Sequence, residues 1–200
     1  MDVSSEDKSN DTPAGEDEQE RDLKSKVLDW GLTICIPIVL AILVHMFVLE
    51  AFIVPTGSML NTIQLDDRVW AEKVSYHFGS PKRGDIVCFK SPAEEGVTLL
   101  KRVIATEGQT VDLVDGKVVV DGETLDEPYT EGKPTYPLDR HAPTTQPISF
   151  PYVVPEGHLW LMGDNRTNSL DSRYYGAIET SSVIGRAICT YWPLDHARVL

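Results

Sequence analysis

The chain has 200 residues, enough for one sizeable domain with appendages, and a hydrophobic fraction of 42%, which is ordinary for a globular protein. Its net charge of −13 argues against nucleic acid as a partner. Three cysteines are too few for a disulfide framework. One disulfide, between Cys88 and Cys189, remains possible if the domain lies outside the cytoplasm.

The first 22 residues contain nine Asp and Glu against Lys8 and Arg21, a local net charge of −7. Large apolar side chains are almost absent from this stretch, so burial cannot offset the entropy lost on ordering it. We therefore predict a disordered acidic tail over residues 1–23.

An uncharged apolar run over residues 30–49 follows, and it is long enough to cross a bilayer as a helix. It exceeds the hydrophobic region of a cleaved signal peptide, and no small-x-small cleavage site follows it. A retained signal anchor over residues 24–50 is therefore preferred to a cleaved leader. A buried core helix is the structural alternative.

The basic residues around this run predict its orientation. Arg21, Lys24 and Lys26 precede it, and no Lys or Arg appears after it until Arg68. The positive-inside rule then places the N-terminus in the cytoplasm and residues 51–200 on the extracytoplasmic face of the cell membrane.

Beyond the run, short β-branched and aromatic segments alternate with Gly and Pro, and no long amphipathic helix is evident. This pattern predicts an all-β domain of mainly antiparallel sheets. Asp115-Gly116 between two such segments indicates a hairpin. A small inserted region is expected at about residues 112–156. The predicted strands are residues 68–74, 85–89, 98–105, 111–114, 117–120, 158–162 and 183–191.

Ser58 follows the apolar run closely, on a turn with Gly57, whose lack of a side chain allows a sharp turn and close approach of another chain. A turn serine usually has no catalytic role. Here, however, the Ser58 N–H and the Thr56 hydroxyl could together form an oxyanion hole. The second glycine of the G-x-S-x-G elbow is missing.

A serine nucleophile needs a base, and none of the five histidines has a recognisable triad context. Lys101 lies inside a strand pattern in which it and Arg102 point to opposite faces. One of the two can be buried while the other reaches solvent or a carboxylate. Burial lowers the pKa of a lysine and makes the neutral amine available as a base.

A third stretch, residues 163–176, is rich in short polar residues and in Asp and Arg. Such a composition favours an ordered, hydrogen-bonded loop with internal ion pairs. A serine from this loop could orient the lysine amine, but a solvated loop explains the composition equally well.

Together these segments resemble bacterial type I signal peptidase, the Ser/Lys leader peptidase, over residues 24–193, in a single-span form as in many Gram-positive members. The resemblance rests on three stretches that occur in order behind one apolar run: Pro55-Thr56-Gly57-Ser58-Met59; Lys82-Arg83-Gly84-Asp85-Ile86-Val87 with Leu100-Lys101-Arg102-Val103-Ile104; and Gly163-Asp164-Asn165-Arg166 through Asn168-Ser169-Leu170-Asp171-Ser172-Arg173-Tyr174.

The resemblance implies a membrane-bound serine endopeptidase whose nucleophile is Ser58 and whose general base is Lys101. Thr56, where serine is more usual, would supply the side chain of the oxyanion hole, and Ser169 would orient the lysine. The implied scaffold residues of the polar loop are Asp164, Arg166, Asp171 and Arg173.

The implied substrates are secretory preproteins, cut after Ala-x-Ala type sequences through an acyl-enzyme, with the lipid bilayer and the export machinery as further partners. An extended signal peptide would pair between edges at residues 51–54 and 98–100. No metal or other cofactor is implied, because no HExxH, paired-Cys or phosphate-loop motif is present. The expected pocket residues are Ile53, Val54, Pro55, Met59 and Leu100.

Two other classes share parts of this pattern. A self-cleaving Ser/Lys repressor has the same chemistry but is cytoplasmic and binds DNA, which the apolar run and the acidic tail disfavour. An inactive peptidase relative that serves as an assembly scaffold typically lacks the serine or the lysine, and both are present here.

Overall fold

The computed structural model describes residues 14–143 and 147–200. The chain divides into two compact units, Met1–Val44 and His45–Leu200. Helix α1 (Ala14–Phe47), which lies in the first unit up to Val44, begins inside the segment predicted to be disordered, and residues 1–13 of that prediction lie outside the described residues. Glu, Gln, Lys and Leu are good helix formers, and acidic residues near the start complement the helix dipole.

Helix α1 ends at Phe47, and a strand begins at Leu49, so the last residues of the predicted 24–50 anchor are extended. Among the described residues, no helix combines the length and the apolar character of a membrane span. Large apolar side chains are nevertheless exposed along α1, at Trp30, Leu32, Ile34, Ile36, Ile38, Val39, Leu40, Ile42, Leu43, Val44 and Phe47.

The second unit consists mainly of short strands. They are β1 (Leu49–Ile53), β2 (Arg68–Glu72), β3 (Ile86–Lys90), β4 (Thr98–Thr106), β5 (Thr110–Val114), β6 (Lys117–Val120), β7 (Glu123–Thr124), β8 (Tyr152–Val153), β9 (His158–Met162), β10 (Ile178–Glu179), β11 (Val183–Trp192) and β12 (Arg198–Val199). Its helical turns are α2 (Ser75–Phe78), α3 (Ser172–Tyr175) and 3₁₀ turns at Gly57–Met59, Pro128–Thr130, Arg166–Asn168, Thr180–Ser182 and Leu194–His196.

All seven predicted strands are present with bounds within two residues of the prediction, which confirms a mainly antiparallel β domain. The sequence pattern missed the short strands β7, β8, β10 and β12, because two residues cannot display an alternation.

The larger sheet has the order β1-β2-β11-β3-β4-β9-β10, with β12 on β11. Among the described strands, β1 is an edge that pairs with β2 alone. Within the described residues, the first part of β4 pairs only with β3, because β9 joins from Arg102 onward. One backbone edge of residues 98–101 is therefore open.

The smaller sheet has the order β7-β6-β5-β8 and spans Thr110 to Val153, close to the expected 112–156 insertion. Asp115 and Gly116 both have positive φ and close the β5–β6 hairpin, as the type I′ turn requires. Apolar residues from this sheet, including Val111 and Val118, form one core cluster with Trp160 and Met162 of β9.

The cysteines Cys35, Cys88 and Cys189 are all free. Cys88 of β3 pairs with Gly185 of β11 in the sheet register, which places Cys189 four residues further along β11. That is about 13 Å at the usual rise per strand residue, too far for a disulfide. The open Cys88–Cys189 pairing is therefore not formed.

Candidate active site

Ser58 and Lys101 meet in the interior of the second unit. Lys101 Nζ lies 2.7 Å from Ser58 Oγ and 2.9 Å from the carbonyl oxygen of Leu100. Ser58 is 8% exposed and Lys101 is 2% exposed. Two residues separated by 43 positions thus form a buried nucleophile–base pair of hydrogen-bonding geometry.

The Lys101 amine is poorly solvated. Burial lowers its pKa to about 8, against the opposing charges of Asp171 and Asp164, which favour the ammonium. A lysine with a pKa this low has a substantial neutral fraction near physiological pH, as a general base requires.

Strand alternation separates Lys101 from its neighbour. The Arg102 guanidinium points to the other face, donates to both carboxylate oxygens of Asp164 at 2.8 and 2.7 Å, and stacks 4.0 Å from the Tyr129 ring. The Asp164 carboxylate is therefore hydrogen-bonded to Arg102, and it acts on Lys101 through its charge.

Thr56 precedes the Gly57–Met59 turn in an extended conformation, and its Oγ1 lies 3.4 Å from Ser58 Oγ. The side chain is exposed to the surface next to the nucleophile. A hydroxyl at this position can donate to an oxyanion formed at Ser58.

Gly163 lies between Ser169 and the nucleophile turn, Gly57–Met59. A Cβ added to Gly163 would lie 2.5 Å from the Ser58 carbonyl oxygen and would also overlap the Ser169 side chain. Among the described residues, the buried Ser169 Oγ has no hydrogen-bond partner of normal geometry, so the expected bond to the Lys101 amine is not formed in this structure.

The four predicted scaffold residues of the polar loop, Asp164, Arg166, Asp171 and Arg173, are all buried. Among the described residues, only one of their ion pairs joins two residues of the loop itself. Asp171 pairs with Arg173 at 2.9 Å. Burial raises the pKa of Asp171, but hydrogen bonds and the charge of Arg173, with a smaller contribution from the Gly163 N–H, bring it below its ordinary value. Arg166 instead forms a bidentate pair with Glu127 of the inserted region at 2.8 and 2.6 Å.

A largely apolar groove of about 350 Å³ adjoins Ser58 between β1 and the open edge of β4. Four of the five expected pocket residues line it: Ile53, Val54, Pro55 and Leu100. Met59 does not. Its side chain is fully buried in the core cluster with Ile63 and Val69, because the 3₁₀ turn directs it inward.

A second cavity of about 330 Å³ also includes Thr56, Ser58 and Lys101. Most of its remaining lining comes from the 91–97 turn and from the polar loop, with Glu94, Asn168 and Tyr175 among the residues. Ser58 therefore lies at the junction of two cavities. This arrangement suits an extended substrate that has residues on both sides of the scissile bond.

Sequence reasoning missed the residues that join distant segments at this site. Asn165 donates from Nδ2 to the Gly57 carbonyl, and Glu127 binds Arg166. These partners are 108 and 39 positions apart. No local pattern could have connected them.

Comparisons with known proteins identify the chain's relatives. The family model described as signal peptidase, peptidase S26, matches residues 27–192. A signal peptidase I from Leptolyngbya laminosa is 36% identical over 86% of this chain and 83% of its own length. A probable signal peptidase I-1 from Synechocystis is 39% identical over 80% of each chain. A crystal structure of a signal peptidase I from Enterococcus faecalis V583 is 32% identical, covers 54% of this chain and 97% of that one, and has a TM-score of 0.44.

The family match spans most of the chain and includes both Ser58 and Lys101. The molecule is therefore a serine endopeptidase. It belongs to the signal peptidase family, peptidase S26, and its bacterial relatives are signal peptidase I enzymes.

Proposed function

We propose that this chain removes N-terminal signal peptides from secreted preproteins with a Ser58–Lys101 dyad, cutting after small residues of the Ala-x-Ala type. The names of its relatives supply the substrate class. The observation that supports this chemistry is the 2.7 Å distance between the buried Lys101 amine and the Ser58 hydroxyl.

The reaction begins with the neutral Lys101 amine, which accepts the proton of Ser58 Oγ as that oxygen attacks the scissile carbonyl. The resulting oxyanion accepts hydrogen bonds from the Ser58 N–H and the Thr56 hydroxyl. The Lys101 ammonium then gives its proton to the departing amine, which leaves the signal peptide esterified to Ser58. Lys101 next takes a proton from a water molecule as the water oxygen attacks the ester. When the ester bond breaks, the Lys101 ammonium returns the proton to Ser58 Oγ and the peptide carboxylate leaves.

Ser169 is proposed to steady the lysine during these steps. Its buried hydroxyl lies across Gly163 from Ser58. Once Ser58 is esterified, the Lys101 amine loses the serine proton as a partner, and the Ser169 hydroxyl is the proposed replacement.

The groove between β1 and the open edge of β4 is the proposed site for the signal peptide. An extended peptide there can pair with the backbone of residues 98–101. Side chains of alternate residues would enter the groove lined by Ile53, Val54, Pro55 and Leu100. Alanine before the cut is the preference that the family resemblance implies.

The experiment for this proposal uses detergent-solubilised full-length protein and a preprotein with an Ala-x-Ala site. We expect one cut immediately after the second alanine, located by mass spectrometry of both products. Replacing that alanine in the substrate with phenylalanine should lower kcat/KM by about 100-fold or more, because a pocket that excludes the ring also misplaces the carbonyl. Equal cleavage of both substrates would contradict the assigned groove.

The pH dependence of kcat/KM follows from the lowered pKa of Lys101, about 8 in the free protein. The ammonium cannot accept the serine proton, so kcat/KM should rise with pH through about 8 and then level off. Below that point it should fall about tenfold per pH unit, as for one required deprotonation. A flat profile between pH 6 and 9 would rule out a neutral lysine base.

We also propose that helix α1 anchors the enzyme in the cell membrane, with the N-terminus in the cytoplasm and residues 51–200 outside. Support comes from the exposed apolar side chains along residues 30–47 and from the basic residues that precede them. After expression in bacterial cells, the full-length chain should remain in the membrane pellet at alkaline pH. Protease added to spheroplasts should digest the catalytic domain and leave an N-terminal tag intact. Release of the chain into the supernatant would contradict the anchor.

A further inference from the structure

Asn165 is a buried residue that hydrogen-bonds to the nucleophile turn but takes no part in the proposed reaction steps. We propose that Asn165, oriented by Lys133 of the inserted region, is a positioning residue that aims the Ser58 N–H at the oxyanion. This inference rests on the proposed peptidase function and adds residues to that same site.

Asn165 contacts two consecutive peptide groups of the turn. Its Nδ2 donates to the Gly57 carbonyl oxygen at 2.8 Å, and its backbone N–H donates to the Ser58 carbonyl oxygen at 3.0 Å. The Leu60 N–H reaches the same Gly57 oxygen at 3.3 Å. The position of the nucleophile turn is thus set largely by one residue of the polar loop.

The contact with the Gly57 carbonyl matters because that carbonyl and the Ser58 N–H belong to one peptide group. The group is planar and trans, so its C=O and N–H point in opposite directions. A donor that fixes the Gly57 oxygen therefore also fixes the direction of the Ser58 N–H. It further polarises the peptide and makes that N–H a better donor, since hydrogen bonds in a chain strengthen one another.

Lys133 determines which way the Asn165 amide faces. Its Nζ donates to Asn165 Oδ1 at 3.1 Å. An ammonium can only donate and a backbone carbonyl can only accept, so the two partners together admit a single orientation of the amide. Lys133 belongs to the inserted region, and this contact connects that region to the reacting serine through one side chain.

The test measures kcat and KM separately with the full-length enzyme and the Ala-x-Ala preprotein. Asn165→Asp keeps the shape but turns a carboxylate oxygen toward the Gly57 carbonyl, and we expect kcat to fall about 10- to 100-fold, part of the loss seen when an oxyanion donor is removed. Lys133→Met should lower kcat about threefold to tenfold, and Lys133→Arg should recover most of that loss. KM should not move.

Lys117→Met serves as the matched control, because Lys117 is an exposed lysine of the same inserted region, and its replacement should leave kcat unchanged. In an Asn165→Ala background, Lys133→Met should have no further effect, since Lys133 acts through Asn165. Thermal unfolding of each variant separates misfolding from misalignment.

Wild-type kcat in Asn165→Asp would overturn the inference, as would additive effects of the two substitutions or a loss that appears in KM alone. Failure of the wild-type enzyme to cut any preprotein would instead refute the proposed function, whatever the variants do.

Discussion

Replacing Ser58 with alanine or Lys101 with methionine is expected to lower preprotein cleavage by about 10⁴-fold or more, the scale seen when a serine peptidase loses its nucleophile or base. Both atoms of the 2.7 Å contact take part in every proposed step, so neither variant retains a partial mechanism. Lys101→Arg should fail as well, because a guanidinium stays protonated and cannot accept the serine proton. Initial cleavage rates at pH 8.5 measure the effect.

The Lys101→Met variant should fold at least as well as the wild type. Burial lowers the pKa of Lys101, which means that the folded protein disfavours the ammonium relative to water. An apolar side chain of similar length avoids that cost, so the free energy of unfolding at pH 7 should not decrease. Lost activity together with unchanged or raised thermal stability is the combination that identifies a base rather than a structural lysine.

Lys90→Met is the matched control for this pair. Lys90 lies on β3, the strand beside β4, but its side chain is exposed. Cleavage by this variant should equal that of the wild type. A Ser58→Ala or Lys101→Met enzyme that keeps a tenth of the wild-type rate would show that the dyad is not the reacting pair.

The sequence predictions that the structure confirms depended on local patterns. Strand alternation separated Lys101 from Arg102, and the structure places the first against Ser58 and the second against Asp164. The positive φ angles of Asp115 and Gly116 are those that the hairpin required. Such features depend on neighbours a few residues away, which a sequence displays directly.

Predictions that depended on tertiary contacts were less accurate. Met59 follows Ser58 and was expected in the pocket, but the tight turn sends it into the core. Arg166 was expected to pair within its own loop, but the inserted region supplies Glu127 instead. Helix α1 begins at Ala14, within the stretch for which composition predicts disorder.

Gly163→Ala should abolish most cleavage, by about 100-fold or more, although only one methyl group is added. That methyl would lie 2.5 Å from the Ser58 carbonyl oxygen and overlap the Ser169 side chain, so the nucleophile turn or the polar loop must move. A displacement of about 1 Å at a reacting atom costs on the order of 100-fold in rate. Overpacking of this kind also lowers the free energy of unfolding by about 1–3 kcal/mol.

Gly79→Ala is the matched control, because a Cβ there would meet only the Ser75 carbonyl oxygen at an ordinary 3.6 Å, and neither activity nor stability should change. Combining Gly163→Ala with Ser169→Gly removes the overlap with Ser169 but leaves the one with the Ser58 carbonyl. The double variant should therefore regain part of its stability without regaining cleavage. Wild-type activity in Gly163→Ala would mean that Ser58 can be displaced without loss of rate. It would then contradict the claim that catalysis depends on the 2.7 Å contact between Ser58 and Lys101.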